Sequence, residues 1–371
     1  MSGRPAARGP VQPATAAPSQ ATAGVGNAIP GGDPVAGQLA VLAARLAAEA
    51  GLAAKRDIQP AAATFAHQPF PELGPAAALG DDAALLPAQS GRLLLACEGM
   101  HPGLVEEDPW FAGWSGVLVN LSDIAAMGGR PLALVNSLWC RDPQRSEALL
   151  AGMRFACGRF AIPMVGGHSN LHSPYDALSV AVLGTTEGPV LSARSATAGD
   201  QLWMVVNQRG AFHRHYPFWD AATQADPAQL RAQLALLPRL AAEGLVHAAK
   251  DISMGGLVGT AVMFAEAADL RLSLDLEAIP RPDGVTEEAW LRCFPSFGFL
   301  LAVRPELQSR LVDVLARDPA LLAAPIGCFA GGDPALVLQR GAEAVTLWSG
   351  GEGLTGFGPL HQEPGDPAET A

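Results

Sequence analysis

The chain has 371 residues and a formal net charge of −12, with 49% hydrophobic and only 16% charged residues. That is length enough for two domains with sizeable cores, and the acidic balance excludes a nucleic-acid binder that works through a basic surface. No uncharged apolar run reaches membrane-spanning length, so the expected partner is a small molecule, with no nucleic acid and no membrane.

Residues 1–32 are rich in Ala, Pro and Gly and lack the apolar core of a secretory signal, so they read as a disordered tail. Residues 33–74 read as a helix and a loop. Asp33-Pro34 supplies an N-cap followed by Pro at the first helical position. Leu39, Leu42, Leu46 and Ala50 follow at helical spacing, with a stop expected at Gly51. From about residue 75 to 190 the pattern is α/β. RLLLACE is a strand, Asp108-Pro109 opens a helix, PLALVNSLWC is a strand and Pro143 to Arg159 is an amphipathic helix. IPMV is a strand running into GGHSN, and ALSVAVLG is a strand. This order suits a mixed sheet backed by helices. A second α/β unit is expected over 191–348. Its strands are GDQLWMVV, RLSLDLEAI, GFLLAV, APIGCFA and ALVLQR, and its helices are Ala228 to Ala249, Gly255 to Ala267 and Pro305 to Ala316. Residues 349–371 read as a loose end. Cys97, Cys140, Cys157, Cys293 and Cys328 form no CxxC pair. That fits free thiols in a reducing cytoplasm better than a disulfide framework or a zinc site.

Five stretches carry possible chemistry. In LGDDAALL, Asp81 and Asp82 are either an N-cap with a solvated neighbour or ligands for a divalent cation, which wants carboxylate oxygens together with phosphate and water. In CEG, Glu98 stands at a strand end, where sites collect in α/β folds. In VLVNLSDIAAMGGRPL, Asn120 and Asp123 share one helix face with Gly113 and Gly116. Small residues there would let a backbone or a ligand approach. A carboxylate near a helix C-terminus opposes the macrodipole and calls for a cation or donors. In VGGHSN, Gly166, Gly167, His168 and Ser169 follow a strand, and their backbone N–H groups would suit a phosphate cradle. In KDISMGGL, Lys250 and Asp251 precede Gly255 and Gly256 at a helix start. Of the 24 Lys and Arg residues, only Lys55 and Lys250 are lysines, which singles both out. There is no P-loop, GxSxG or HExxH motif.

Taken in order, GDDAAL, CEG, VNLSDIAAMGGRP, VGGHS and KDISMGGL resemble the aminoimidazole-ribonucleotide (AIR) synthase superfamily. It includes thiamine-monophosphate kinase, selenophosphate synthetase, the hydrogenase-maturation dehydratase and formylglycinamidine synthase. The resemblance spans roughly residues 75–345, and NLSDIAAMG nearly repeats the thiamine-monophosphate kinase form. It implies a two-domain fold whose N-terminal sheets join a homodimer, with ATP and Mg²⁺ held by acidic residues. Carried over by motif, the metal ligands would be Asp81, Asp82, Glu98, Asp123 and Asp251. Nucleotide would contact Asn120, Gly166, Gly167, Ser169, Gly255 and Gly256, and Lys55, Lys250 and His168 would serve the chemistry. GGHS stands where thiamine-monophosphate kinases have GGDT, and no Cys precedes Cys97 as selenide chemistry requires. The nearest resemblance is to a group of unknown substrate found beside bacterial nitrilase genes. The expected activity is phosphoryl transfer to, or ATP-driven activation of, a small molecule. The rival is a catalytically silent nucleotide- or partner-binding protein on the same scaffold.

Overall fold

A computed structural model describes residues 36–53, 55–56, 82–87, 91–351, 353–356 and 358. Helix α1 (Ala36–Ala47) buries Leu39 and Leu46, as their spacing predicts, but Ala43 joins them while Leu42 is half-buried and Ala50 is exposed. The cap expected at Asp33 lies outside the described residues. The helix does not run on to Ala50. It breaks, and a short α2 (Ala50–Ala53) follows. Gly51 sits within α2 rather than ending α1. A Cβ on it would stand 2.2 Å from the Met254 carbonyl oxygen, so a glycine is what lets this turn press against the second domain.

The first sheet has five strands in the order β1-β2-β5-β3-β4. They are β1 (Ala84–Pro87), β2 (Arg92–Gly99), β3 (Arg130–Trp139), β4 (Met164–Asn170) and β5 (Ala177–Thr186). β3 and β4 are parallel, and the other pairs are antiparallel. One face is covered by α4 (Pro109–Ala126) and α5 (Pro143–Phe160), with α3 (Pro102–Glu107) leading into α4. Both long helices open on an Asp-Pro pair. The Asp108 carboxylate accepts from Phe111 N at 3.2 Å, and the Asp142 carboxylate from Arg145 N at 2.9 Å. The two helices meet through glycine. A Cβ on Gly113 would lie 2.1 Å from Leu149 O, and one on Gly152 would lie 2.0 Å from Trp110 O.

The second sheet has seven strands in the order β15-β14-β10-β13-β6-β12-β9. Its members are β6 (Gln201–Asn207), β9 (Ala248–Asp251), β10 (Arg271–Asp275), β12 (Gly298–Val303), β13 (Leu321–Ala330), β14 (Ala335–Arg340) and β15 (Glu343–Ser349). Central β6 is buried on both faces. Leu202, Met204 and Val206 join the core under α8 (Gly256–Ala268), while Trp203 and Val205 pack on the side of α7 (Leu236–Ala242) and α10 (Gln308–Leu315). The long helix expected over Ala228 to Ala249 is instead α6 (Pro227–Leu234), α7 and then strand β9. The apolar run AAKD is claimed by a ladder with β12, in which Leu300 pairs with Lys250. Local apolar spacing does not distinguish a buried strand from a helix, and tertiary pairing decides it. A small sheet in the order β11-β8-β7 was not foreseen: β7 (Ala211–Phe212), β8 (Phe218–Asp220) and β11 (Phe294–Pro295), with α9 (Glu287–Leu291) before it. Among the described residues no helix is long and apolar enough to cross a membrane.

Candidate functional site

A cavity of about 690 Å³ opens between the α4 side of the first sheet and the β9 end of the second. Six of the residues singled out in the sequence line it: Lys55, Asp82, Glu98, Asp123, Lys250 and Asp251. Each arrives by its own route. Lys55 is in a helical turn just after α2, and Asp82 in the bend before β1. Glu98 lies at the end of β2, Asp123 in the last turns of α4, and Lys250 and Asp251 at the end of β9. Asp251 caps nothing, because α8 begins beyond it with Gly255 as an N-cap lacking a side-chain bond. Its carboxylate is therefore available to the cavity.

On α4 the cavity face carries Ser115, Val119 and Asp123, spaced four residues apart. The stripe of Gly113, Gly116 and Asn120 points elsewhere. Gly113 admits the α5 backbone, and a Cβ on Gly116 would meet Val180 and Leu178 of β5. Asn120 is wholly buried and donates to Gly116 O at 2.8 Å. The small residues thus serve helix packing rather than ligand approach.

The electrostatics of the cavity are strained. Asp123, Lys250 and Asp251 are all buried. Lys250 Nζ pairs with Asp82 Oδ1. Among the described residues Asp123 Oδ2 is buried with no hydrogen-bond partner, an arrangement that costs free energy. Burial first, then the charges of Asp251, Glu98 and Asp82, push the Asp123 carboxyl well above the ordinary range, with Lys250 opposing. Burial and Asp82 push Asp251 up to about 8, against the pull of Lys250. Glu98 is raised chiefly by desolvation, with Lys55 opposing and Asp82 adding. The Glu98 side chain is nonetheless exposed. It borders the concave cavity, where a group has accessible surface but little bulk water around it, so the upward direction stands.

Mg²⁺ fits this donor set. The side chains are hard oxygen donors, one of them is unpartnered, and a cation would remove the mutual repulsion. Among the described residues no three His, Cys, Asp or Glu side chains already form a metal-holding cluster. That suits an ion that takes one or two carboxylates and completes its shell with phosphate oxygens and water.

The remaining sequence candidates lie elsewhere. Asp81 is outside the described residues. Gly166, Gly167, His168 and Ser169 do not form a turn. They are the middle of β4, an edge strand with exposed side chains, and they do not line the cavity. Gly167 opposes Asn136, whose carbonyl oxygen would be 2.6 Å from an added Cβ. Gly255 and Gly256 also lie off the cavity lining. Gly256 has φ +66°, and a Cβ on it would meet Leu291 O at 2.6 Å, so it serves the α8 start. Ser296, shortly before β12, also lines the cavity.

Other wall residues gave no signal in sequence. Phe218, Trp219 and Asp220 come from the small sheet, and Thr355 from the end of the described chain. Thr355 is held by buried Glu266, which accepts from Leu354 N at 2.8 Å, from Thr355 Oγ1 at 2.6 Å and from Gly356 N at 3.2 Å. A lone Glu in the apolar run MFAEAA is the one hint that α8 holds such a strap.

Residues 80–186 match the AIR synthase related protein, N-terminal domain, and residues 190–336 match its C-terminal domain. An uncharacterized protein of Synechocystis is 44% identical over 309 residues, which is 83% of this chain and 95% of that protein. The chain belongs to the AIR synthase related family. Among solved structures, Thermotoga maritima PurL complexed with ATP superposes with a TM-score of 0.59 at 18% identity, over 71% of this chain but only 45% of that one. AaThiL complexed with AMPPCP and TMP gives 0.58 at 21% identity, over 78% and 96%. Thiamine-monophosphate kinase from Stenotrophomonas maltophilia gives 0.55 at 25% identity, over 72% and 90%. The two-domain mixed α/β architecture of this AIR synthase related chain is thus the family fold. Lys55 and Thr355 lie outside both matched segments, so part of the cavity wall is added by the flanking chain.

Proposed function

We propose that the chain is an ATP- and Mg²⁺-dependent enzyme that transfers a phosphoryl group to a small molecule, or activates one by that route. One observation carries this reading: carboxylates from four distant parts of the sequence and both lysines line one cavity, where Asp123 keeps a buried oxygen unpartnered. Phosphoryl transfer asks little covalent chemistry of a protein and depends on positioning and charge neutralisation. Asp123 and Asp251 would hold the metal, with Asp82 and Glu98 beside them. Mg²⁺, when bound, neutralises charge on the transferring phosphoryl group. Lys250 is already engaged by Asp82 and orients that carboxylate. Lys55, which faces Glu98 and Asp251, is the cation assigned to the terminal phosphate. The walls from α4 and the small sheet exclude water.

His168, Gly166, Gly167 and Ser169 fit this reading through a second copy of the chain. The first sheet exposes Leu95, Val135, Val165 and Leu183, an apolar set on β2, β3, β4 and β5. A homodimer through this face would cover them and bring β4 of each copy toward its partner. The same off-cavity position of β4 favours the rival reading, a silent nucleotide binder, if the chain acts alone. Calorimetry with AMPPCP and Mg²⁺ tests the proposal. Binding by the wild type and its loss in Asp123→Ala are expected, and absence of wild-type binding overturns it. ATP turnover with a panel of acceptors separates enzyme from silent binder, and sedimentation measures the dimer.

A further inference from the structure

The cavity has two unlike ends. The end described above is ionic. The other is walled by Met100, Leu104, Phe111, Phe218, Trp219 and Phe294. These rings are locked in place. Phe218 and Phe294 meet edge to face at 6.0 Å, and Phe111 stacks on His213 at 3.7 Å. The Trp219 indole N–H donates to Asn207 O at 3.0 Å, so its polar edge is satisfied in the wall and asks nothing of a ligand. The nearby polar groups are engaged too. Asp220 Oδ1 accepts from Ala222 N and Thr223 N, and Ser296 Oγ accepts from Ala221 N at 2.9 Å.

The charge count is equally one-sided. Asp82, Glu98, Asp123, Asp220 and Asp251 face the cavity against Lys55 and Lys250, with His101 beside Met100 at the aromatic end, and no arginine is among the described residues lining it. A phosphate monoester is normally held by arginine forks or a nest of backbone N–H groups. Once Lys55 and Lys250 serve the ionic end, the aromatic end has no arginine among its described lining residues.

We infer that the acceptor of this AIR synthase related chain is a phosphate-free molecule with a flat aromatic or apolar body, neutral or positively charged. Its body stacks among Phe111, Phe218, Trp219 and Phe294, and its reacting hydroxyl or amine points toward Asp123 and Asp251. This rests on the phosphoryl-transfer reading but is tested without turnover. A cation would add ring–charge attraction and pairing with Asp220, whereas a phosphate ester would bring a dianion into a net acidic cavity without an arginine.

The test is equilibrium binding of three matched probes to the full chain: 2-naphthylmethanol, 2-naphthylmethylamine and 2-naphthylmethyl phosphate, followed by tryptophan fluorescence. The alcohol and amine are expected to bind at least about tenfold more tightly than the phosphate. Ser115→Trp, which fills the α4 side of the cavity, is expected to abolish their binding, with cooperative thermal unfolding reporting an intact fold. Adenosine is expected not to displace them. Equal or tighter binding of the phosphate overturns the inference. So does displacement by adenosine, which would make the aromatic end a base site. Failure of all three probes while AMPPCP and Mg²⁺ still bind overturns the inference and leaves the proposed function standing. Absence of AMPPCP and Mg²⁺ binding with the probes still bound overturns the proposed function and the acceptor role with it, leaving a site for phosphate-free aromatic molecules.

Discussion

Two of the family-like stretches, NLSDIAAMG at the end of α4 and VGGHSN on β4, have opposite fates in the folded chain. Asp123 is buried against the cavity with an unpartnered oxygen. His168 sits on an exposed edge strand outside it. A motif specifies residue types and spacing. Which side of a helix or sheet faces a site is decided by what packs behind it. In α4, Gly113 and Gly116 are consumed by α5 and β5, so the Ser115–Val119–Asp123 face is left for the cavity. β4 is the edge strand of its sheet among the described residues, and its motif does not reach the cavity.

Several experiments would break or sharpen this contrast. The largest effect is expected at the ion pair beside Asp123. Lys250→Met leaves Asp82 buried without its cation and should cost about 3–5 kcal/mol in urea unfolding, partly restored by Mg²⁺. Asp123→Ala should weaken AMPPCP and Mg²⁺ binding at least about 100-fold by calorimetry, or about 2.7 kcal/mol. Gly113→Ala drives a methyl into the Leu149 carbonyl and should lower stability by about 1–3 kcal/mol without altering the cavity's charge. The fold is then shown to depend on the glycine stripe while the site depends on its neighbour.

The pH dependence has a definite sign. The Asp251 carboxyl is raised to about 8 in the folded chain, from 3.8. Folding therefore favours its protonated form. That stabilisation is complete below the unfolded value and is lost as pH rises toward about 8, at up to about 1.4 kcal/mol per pH unit. Metal-free protein should melt lower at pH 8 than at pH 6.5, and Mg²⁺ should flatten the difference. The smallest effect is expected on β4. His168→Ala should leave the unfolding free energy unchanged within about 0.5 kcal/mol. An effect on nucleotide binding that appears only at dimer-forming concentrations would tie this strand to a partner's cavity, whereas a large effect in the monomer would erase the contrast.

Much of the architecture was legible because periodicity and caps are local. The Asp-Pro helix starts at Asp108 and Asp142, the buried β6 and β12, and the order of elements from β2 to β5 all follow from short-range chemistry, whereas edge strand β1 was not expected. The misreadings have a common cause. AAKD is compatible with helix or strand, and β12 decides. GGHS has the look of a turn, yet pairing with β3 extends it. FWD and Thr355 have no signature, because a cavity wall needs only shape and apolarity.

By itself, the sequence determined an acidic, two-unit α/β chain of recognisable family with a small set of conspicuous carboxylates and two lysines. Only the tertiary structure decided that Lys55, Asp82, Glu98, Asp123, Lys250 and Asp251 share one cavity while Asn120 and His168 do not. The reason is physical. Residue type and spacing are properties of neighbours along the chain, but which carboxylates repel, which oxygen lacks a donor and which rings close the far wall depend on contacts between residues up to hundreds of positions apart.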